Sequence, residues 1–467
     1  MRTIKLFAMI FITLLVISCK NKPKEELTKA EETITDTTSV VAIAPEWSKN
    51  AVIYEVNIRQ YTKEGTINAF SQHLPRLKNL GIDILWIMPP FPVGIKNRKG
   101  KMGSPYSISD YSTVNPDFGT EEDFRKMVAE AHKLGMKVIV DWVANHSSFD
   151  NKWTVSNPEW YTKDSLGKIT HPKDTDWTDV ADLNYDNKEM RAEMIKMMNL
   201  WITKFDIDGF RCDVAGMVPV DFWKDANESL NKTKEVFMLA EAEEPPLHYA
   251  GFHMTYGWEL HHLLNEIAQG KTRPEKIDTF LVKDKKRFPA EAYRMNFTEN
   301  HDENSWKGTV KERMGKAGDV MTVIAFTIQG MPLVYSGQEA GLDKRLSFFE
   351  KDQIDWRNLS KSDFFKKLIG LHKTNQALWN GHHGSPAVRI KTDNGKIYAF
   401  SRTKDSDEVI VITNLSSKSQ KFNVTGEVNK EIFYFNIMTR ESKKMSEWLT
   451  ANKELKPWDY LVLEKKK

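Results

Sequence analysis

Residues 188–241 read KEMRAEMIKMMNLWITKFDIDGFRCDVAGMVPVDFWKDANESLNKTKEVFMLAE. Two periods alternate within this stretch. Residues 188–204 and 220–231 space their apolar side chains as helices do, whereas 207–213 and 236–241 are short runs rich in β-forming residues. Strand, helix, strand is the repeating unit of a parallel sheet, because parallel neighbours need a long crossover between them. The alternation continues outward on both sides. Upstream, strands are expected at 52–58, 82–88 and 137–142, with helices over 69–80 and 121–134. Downstream, strands are expected at 251–256, 293–298 and 332–336, with a helix over 320–329. Eight strands in alternation predict an α/β fold, a closed (β/α)8 barrel. An open doubly wound sheet is the alternative, but it usually carries a Gly-rich phosphate loop after an early strand, and none is present.

Two connections are too long to be bare. One is 91–120, after the second strand. The other follows the third strand and is rich in Trp, Asp, Pro and Thr; about 147–187 is read as a small inserted subdomain. After Gly381 the pattern changes to short runs at 387–391, 396–401, 408–414, 420–424, 431–436 and 460–463, separated by turn residues. These predict a C-terminal antiparallel β domain over 381–467, leaving 46–380 for the barrel.

Composition narrows the class of protein. The chain has 467 residues, 40% hydrophobic and 28% charged, which excludes wholesale disorder and a polytopic membrane protein. Lys and Arg number 67 against 64 Asp and Glu, so the net charge of +3 gives no reason to expect nucleic acid. Two cysteines cannot make a disulfide scaffold. Fourteen Trp and thirteen Tyr are compatible with sugar stacking, although core packing is the simpler use.

The N-terminus reads as an address. Arg2 and Lys5 precede an apolar run, 6–17, broken only by Thr13. A spanning helix needs about 20 apolar residues, so this run has the length of a secretory signal instead. It ends in Val16-Ile17-Ser18-Cys19, which resembles a bacterial lipobox. The expectation is a lipoprotein signal peptide over 1–18, lipid on Cys19, and a polar, flexible tether over 19–45. The protein would then be exported and anchored to the bacterial cell envelope, on the periplasmic side or the outer surface. A plain signal peptide with a chance cysteine is the alternative. Cys212, the other cysteine, is expected to be buried.

In a barrel the residues that do chemistry sit at the C-terminal ends of the strands. The third expected strand ends in DWVANH, with Asp141, Asn145 and His146. The fourth ends in GFRCDVA, with Arg211 and Asp213; the fifth in LAEAEE, with Glu241; the seventh in FTENHDEN, with Asn300, His301 and Asp302. Charged residues are rarely fully buried unless paired, so three carboxylates, two histidines and one arginine converging on one mouth would be costly without a purpose; a structural ion-pair cluster that closes the barrel is the alternative. Period two turns Arg211 and Asp213 to the same side and Cys212 to the other. An arginine two residues from a carboxylate orients it and favours its ionised form, as a glycosyl nucleophile requires. Glu241 lies on the neighbouring strand, about 4.8 Å away. Retaining glycosidases hold their two carboxyl groups about 5–5.5 Å apart.

With these residues in view, the chain resembles the α-amylase family of retaining glycoside hydrolases. The motifs occur in the family's order: GIDILWIMPPF (81–91), SPYSISDY (104–111), DWVANH (141–146), VADLN (180–184), GFRCDVA (209–215), Glu241 in LAEAEE, ENHD (299–302) and GMPLVYSGQE (330–339). The resemblance implies Asp213 as nucleophile, Glu241 as general acid/base and Asp302 as a third carboxylate gripping sugar hydroxyls. It implies Arg211 as the orienting group for Asp213, with His146 and His301 as hydrogen-bonding partners of the sugar at the cleaved position. Tyr106 would be the stacking platform beneath that sugar; local packing is its alternative role. Asp141 would be structural.

The implied reaction is double displacement on α-1,4-linked, and also α-1,6-linked, glucans or maltooligosaccharides of starch type. Where typical α-amylases place Lys-His after the nucleophile, this chain has Gly216 and Met217. Val214-Ala215 is closer to the neopullulanase and cyclomaltodextrinase branch. The resemblance also implies that Asn145 and Asp182, with backbone carbonyls, hold Ca²⁺; the site stays open, because two side chains do not make a six- to eight-oxygen cage. No organic cofactor is implied. Two other readings stay open: a transglycosylase, in which a sugar hydroxyl replaces water, and an inactive glycan-binding lipoprotein.

Overall fold

The structure, a computed structural model, describes residues 40–466. The signal segment, Cys19 and most of the tether lie outside the described residues. Eight parallel strands close into a barrel: β1 (Ile53–Val56), β2 (Ile84–Ile87), β3 (Lys137–Trp142), β4 (Gly209–Cys212), β5 (Phe237–Ala240), β6 (Met254–Tyr256), β7 (Tyr293–Asn296) and β8 (Met331–Tyr335). They neighbour one another in chain order, and β8 closes on β1 through Ile53 opposite Leu333.

Alternation explains the two cores. Ile53, Ile84, Trp86, Ile139, Phe237, Leu239, Met254 and Met295 turn inward and fill the lumen. Their neighbours Tyr54, Leu85, Val138, Val140 and Phe210 turn outward into the larger core under the helices. Packing therefore plugs the barrel, and chemistry is left to its mouth. Gly209 opens β4 for a steric reason: a Cβ there would lie 1.9 Å from the carbonyl oxygen of Phe237 on β5.

The expected single helix over 69–80 is two helices, Ile67–Ser71 and Leu74–Leu80. Pro75 is the cause, since it has no N–H to give to Ser71 and its ring would crowd that carbonyl. Three further helices, Trp258–Ala268, Lys276–Arg287 and Ser362–Thr374, were not apparent from periodicity. After β3 the chain forms a two-stranded antiparallel sheet, His146–Ser148 with Val180–Asp182.

The C-terminal part is an antiparallel sheet. Its strands, in spatial order, are Val388–Ile390, Ile397–Lys404, Asp407–Asn414, Tyr460–Lys465, Phe433–Asn436 and Glu441–Lys444. One face buries Ile397, Ala399, Ile410, Ile412, Leu461 and Leu463 beneath the helix Met445–Ala451 through Trp448. That helix and the strand Glu441–Lys444 interrupt what the sequence presents as one long connection.

Candidate active site

Residues from the ends of β1, β3, β4, β5, β6 and β7 meet at the barrel mouth. Cys212 pairs with Ala240 across β4 and β5, so Asp213 and Glu241, one residue further on, face each other. Arg211 turns inward beside them and is fully buried. Its Nη1 donates to Asp141 at 2.7 Å and to Asp213 at 2.9 Å, and its Nε donates to the Tyr256 hydroxyl at 3.1 Å. Nη2 approaches Glu241 Oε2 at 2.8 Å as an ion pair, although it has no hydrogen bond of proper angle. One guanidinium thus serves three carboxyl groups.

That ratio sets the protonation. Burial raises the Asp213 carboxyl well above the carboxylate range; Arg211 opposes the rise, while Glu241 and Asp141 add to it. Burial likewise raises Glu241, with Arg211 opposing and Asp302 adding. The sequence suggested that Arg211 would simply hold Asp213 ionised. Three negative charges on one buried guanidinium would leave two uncompensated, so the set resists losing its last proton. That proton belongs to the cluster, as an acid/base pair requires.

Cys212 points away from this cluster and is buried and free, as expected. The turn after Asp213 is strained. Val214 has φ +36°, a region that β-branched residues avoid, and its N–H donates to Glu241 Oε2 at 2.8 Å.

Asp141 is fully buried. Besides Arg211 it accepts from Trp86 Nε1 at 3.0 Å and from the Tyr106 hydroxyl at 3.0 Å. Its contacts are all internal, consistent with a structural part. Tyr106, only 6% exposed, also bonds His301 Nε2 at 2.8 Å, and the two rings stack at 5.4 Å. His301 Nε2 lies 3.3 Å from Asp302, whose side chain is more open than the other carboxylates. On the other side of the ring, Nδ1 bonds Glu55 of β1.

Glu55 is fully buried and absent from the set the sequence suggested. Burial alone would lower the His301 pKa, but the charges of Asp302 and Glu55 outweigh it and raise it to about 9. His301 is therefore an imidazolium at neutral pH. His146 is the opposite case: burial lowers it to about 3 and keeps it neutral. Its Nδ1 faces Asn145 at 3.2 Å, and the Trp177 ring lies 5.6 Å away.

Asn145 and Asp182 come close because His146 pairs with Asp182 across the small sheet. Their oxygens are the hard donors that Ca²⁺ takes. Among the described residues, no group of three or more His, Cys, Asp or Glu side chains could hold a metal ion, so backbone carbonyls would have to complete any such site. Gly216 and Met217 form a short turn, Ala215–Met217, with Met217 47% exposed.

A closed parallel barrel with paired carboxyl groups facing each other on adjacent strand ends defines a (β/α)8 enzyme of glycoside chemistry. The family profile "Alpha amylase, catalytic domain" matches residues 35–179 and 171–385. The chain belongs to the α-amylase family and is a glycoside hydrolase of that family. It is 26% identical to "Alpha-amylase 2" of Dictyoglomus thermophilum over 449 residues, covering 86% of this chain and 75% of that protein. It is 25% identical over 433 residues to "Cyclomaltodextrinase" of Thermoanaerobacter pseudethanolicus, covering 81% and 72%. Among solved structures, the maltogenic α-amylase of Thermotoga neapolitana superposes with a TM-score of 0.80 at 29% identity, covering 90% of this chain and 99% of that one.

Proposed function

We propose that this protein cleaves α-1,4-glucosidic bonds, and also α-1,6 bonds, of starch-type glucans or maltooligosaccharides with retention of configuration. The observation that carries the reading is the pairing of Asp213 with Glu241 on one buried guanidinium. Glu241, holding the proton of the cluster, donates it to the glycosidic oxygen while Asp213 attacks the anomeric carbon from the opposite face of the sugar. The C–O bond to the leaving sugar breaks as the Asp213–sugar ester forms. Glu241, now a carboxylate, takes a proton from water, whose oxygen displaces Asp213 and regenerates both groups. The imidazolium of His301 and the neutral ring of His146 supply hydrogen bonds to sugar hydroxyls. Asp302 grips others of them, and Tyr106 lies beneath the ring.

The relatives named amylase, maltogenic amylase and cyclomaltodextrinase support a glucan substrate. The test is chain-length analysis of products from maltoheptaose, for wild type and Asp213→Asn side by side. Shorter products from wild type alone are expected. Longer products would make the enzyme a transglycosylase, and unchanged maltoheptaose in both would overturn the substrate assignment.

Two parts of the sequence reading support further proposals. The motif Val16-Ile17-Ser18-Cys19 favours an exported protein held at the bacterial envelope by lipid on Cys19; mass spectrometry of the mature N-terminus tests it. Asn145 and Asp182 would supply side-chain ligands to a structural Ca²⁺ joining the end of β3 to the small sheet. Extraction with EDTA should then lower the melting temperature, and an unchanged value would remove the ion from the account.

A further inference from the structure

Immediately after Asp302 the chain forms a π-helical turn, Glu303–Lys307, a departure from α geometry that is frequent at functional sites. Trp306 stands on that turn with 50% of its surface exposed. A large indole left half open beside a catalytic mouth needs an explanation. Covering apolar neighbours is one, because Trp306 packs against Phe348 at 5.1 Å and Phe349 at 5.7 Å. That accounts for the buried face and leaves the open face unexplained.

Phe348 links Trp306 to the site already described. Its ring lies 6.1 Å from Tyr106 with only 10° between the planes, and 6.4 Å from His301. Tyr106, Phe348 and Trp306 therefore form a continuous row of rings leading out of the mouth. The row is rigidly held. Asn304 donates to the Lys344 carbonyl at 3.1 Å and accepts from Leu346 N–H at 2.8 Å, and Ser305 Oγ donates to the Leu346 carbonyl at 2.9 Å. Gly100 closes the other side. A Cβ there would sit 2.6 Å from Phe349, so only glycine lets the two segments meet.

These segments enclose an open recess of about 330 Å³. Trp306, Phe348 and Phe349 line it together with Arg345, whose Nε donates to Glu312 at 2.8 Å, and Glu350, whose Oε1 accepts from Lys101 N–H at 3.0 Å. A pyranose has the matching chemistry: an apolar C–H face for the indole and peripheral hydroxyls for a guanidinium and a carboxylate.

We propose that Trp306, backed by Phe348 and flanked by Arg345 and Glu350, binds a further glucosyl ring of the same glucan chain whose cleaved sugar lies on Tyr106. The inference rests on the glucan reading above and adds the residue that extends the site along the chain.

The experiment is calorimetric titration of maltoheptaose into full-length Asp213→Asn, Asp213→Asn/Trp306→Ala and Asp213→Asn/Trp306→Phe. Loss of one stacked ring should raise Kd about tenfold in the alanine variant, with phenylalanine restoring most of the affinity and all three melting together. Equal Kd for all three overturns the proposal. So does a weaker alanine variant that melts lower and is not rescued by phenylalanine, since Trp306 would then only support the fold. If Asp213→Asn itself binds no maltoheptaose, the glucan reading fails first and this inference falls with it.

Discussion

His301 is clamped between two carboxylates, and the inner one is Glu55, a residue of β1 buried at the top of the lumen. The clamp decides the charge of the ring. The groups facing His301 are Glu55 on β1, Tyr106 on the loop after β2, Asp302 beside it, and Arg211 on β4. Burial and Arg211 disfavour the imidazolium; Glu55 and Asp302 outweigh them.

A histidine whose folded pKa is raised from 6.5 to about 9 keeps its charge below that value and loses it as pH rises through it. NMR titration of the His301 ring in the intact protein should show the charge persisting well above neutral pH. Glu55→Gln keeps the shape and removes one charge. The midpoint should move towards acid by about one pH unit or more. A midpoint that stays where it was would mean that Glu55 has no hold on the ring.

Arg211→Lys replaces a planar fork with a point charge. An ammonium cannot serve Asp141, Asp213, Glu241 and the Tyr256 hydroxyl at once. The variant should lose most of its activity and about 1.5–3 kcal/mol of stability, since the ammonium keeps the charge but leaves some of these buried acceptors without a donor. Urea denaturation and single-turnover rates on maltoheptaose check both. Full activity with a lower denaturation midpoint would reduce Arg211 to a structural part.

The site was largely legible because its residues stand in compact motifs at strand ends, where Arg211 and Asp213 declare their shared side by period two. Glu55 was not. In IYEV it is one acid in an apolar strand, and only barrel closure brings that strand end beneath His301, 246 residues away. The helix Lys276–Arg287 was hidden for a different reason: it buries only Ile277 and Phe280, so its apolar stripe is too thin to read. Trp306 was equally silent, because its openness is a property of the surface and not of the local sequence.

Val214→Gly tests the strained turn. Val214 sits at φ +36°, where a non-glycine residue costs about 1–3 kcal/mol. Glycine removes that cost but adds about 0.5–1 kcal/mol of chain entropy to the unfolded state. The variant should therefore melt at or above the wild-type temperature. Its kcat should fall, because the N–H that holds Glu241 Oε2 is no longer fixed in place. A lower melting temperature would show that the valine side chain contributes more than its backbone loses.

Arg402 tests how the C-terminal sheet is joined to the barrel. It lies on the strand Ile397–Lys404, is 1% exposed, and its hydrogen-bond partners among the described residues are backbone carbonyls. Its guanidinium donates to the carbonyls of Ser385 at 2.7 Å, Ile328 at 2.9 Å and Thr327 at 3.3 Å. Thr327 ends the helix Gly318–Thr327, whose last carbonyls have no partner within the helix. A cation there also meets the negative end of the helix dipole. Burial lowers the pKa of Arg402 to about 9, so the bonds are made at a desolvation cost that the charge would not otherwise bear. Arg402→Met fills similar volume and abandons these carbonyls. About 3 kcal/mol of stability should be lost, read as a lower urea midpoint. Activity at low temperature should be unchanged, because Arg402 bonds none of the residues at the barrel mouth. Loss of kcat without loss of stability would mean that the junction reaches the catalytic end of the barrel through the helix it caps.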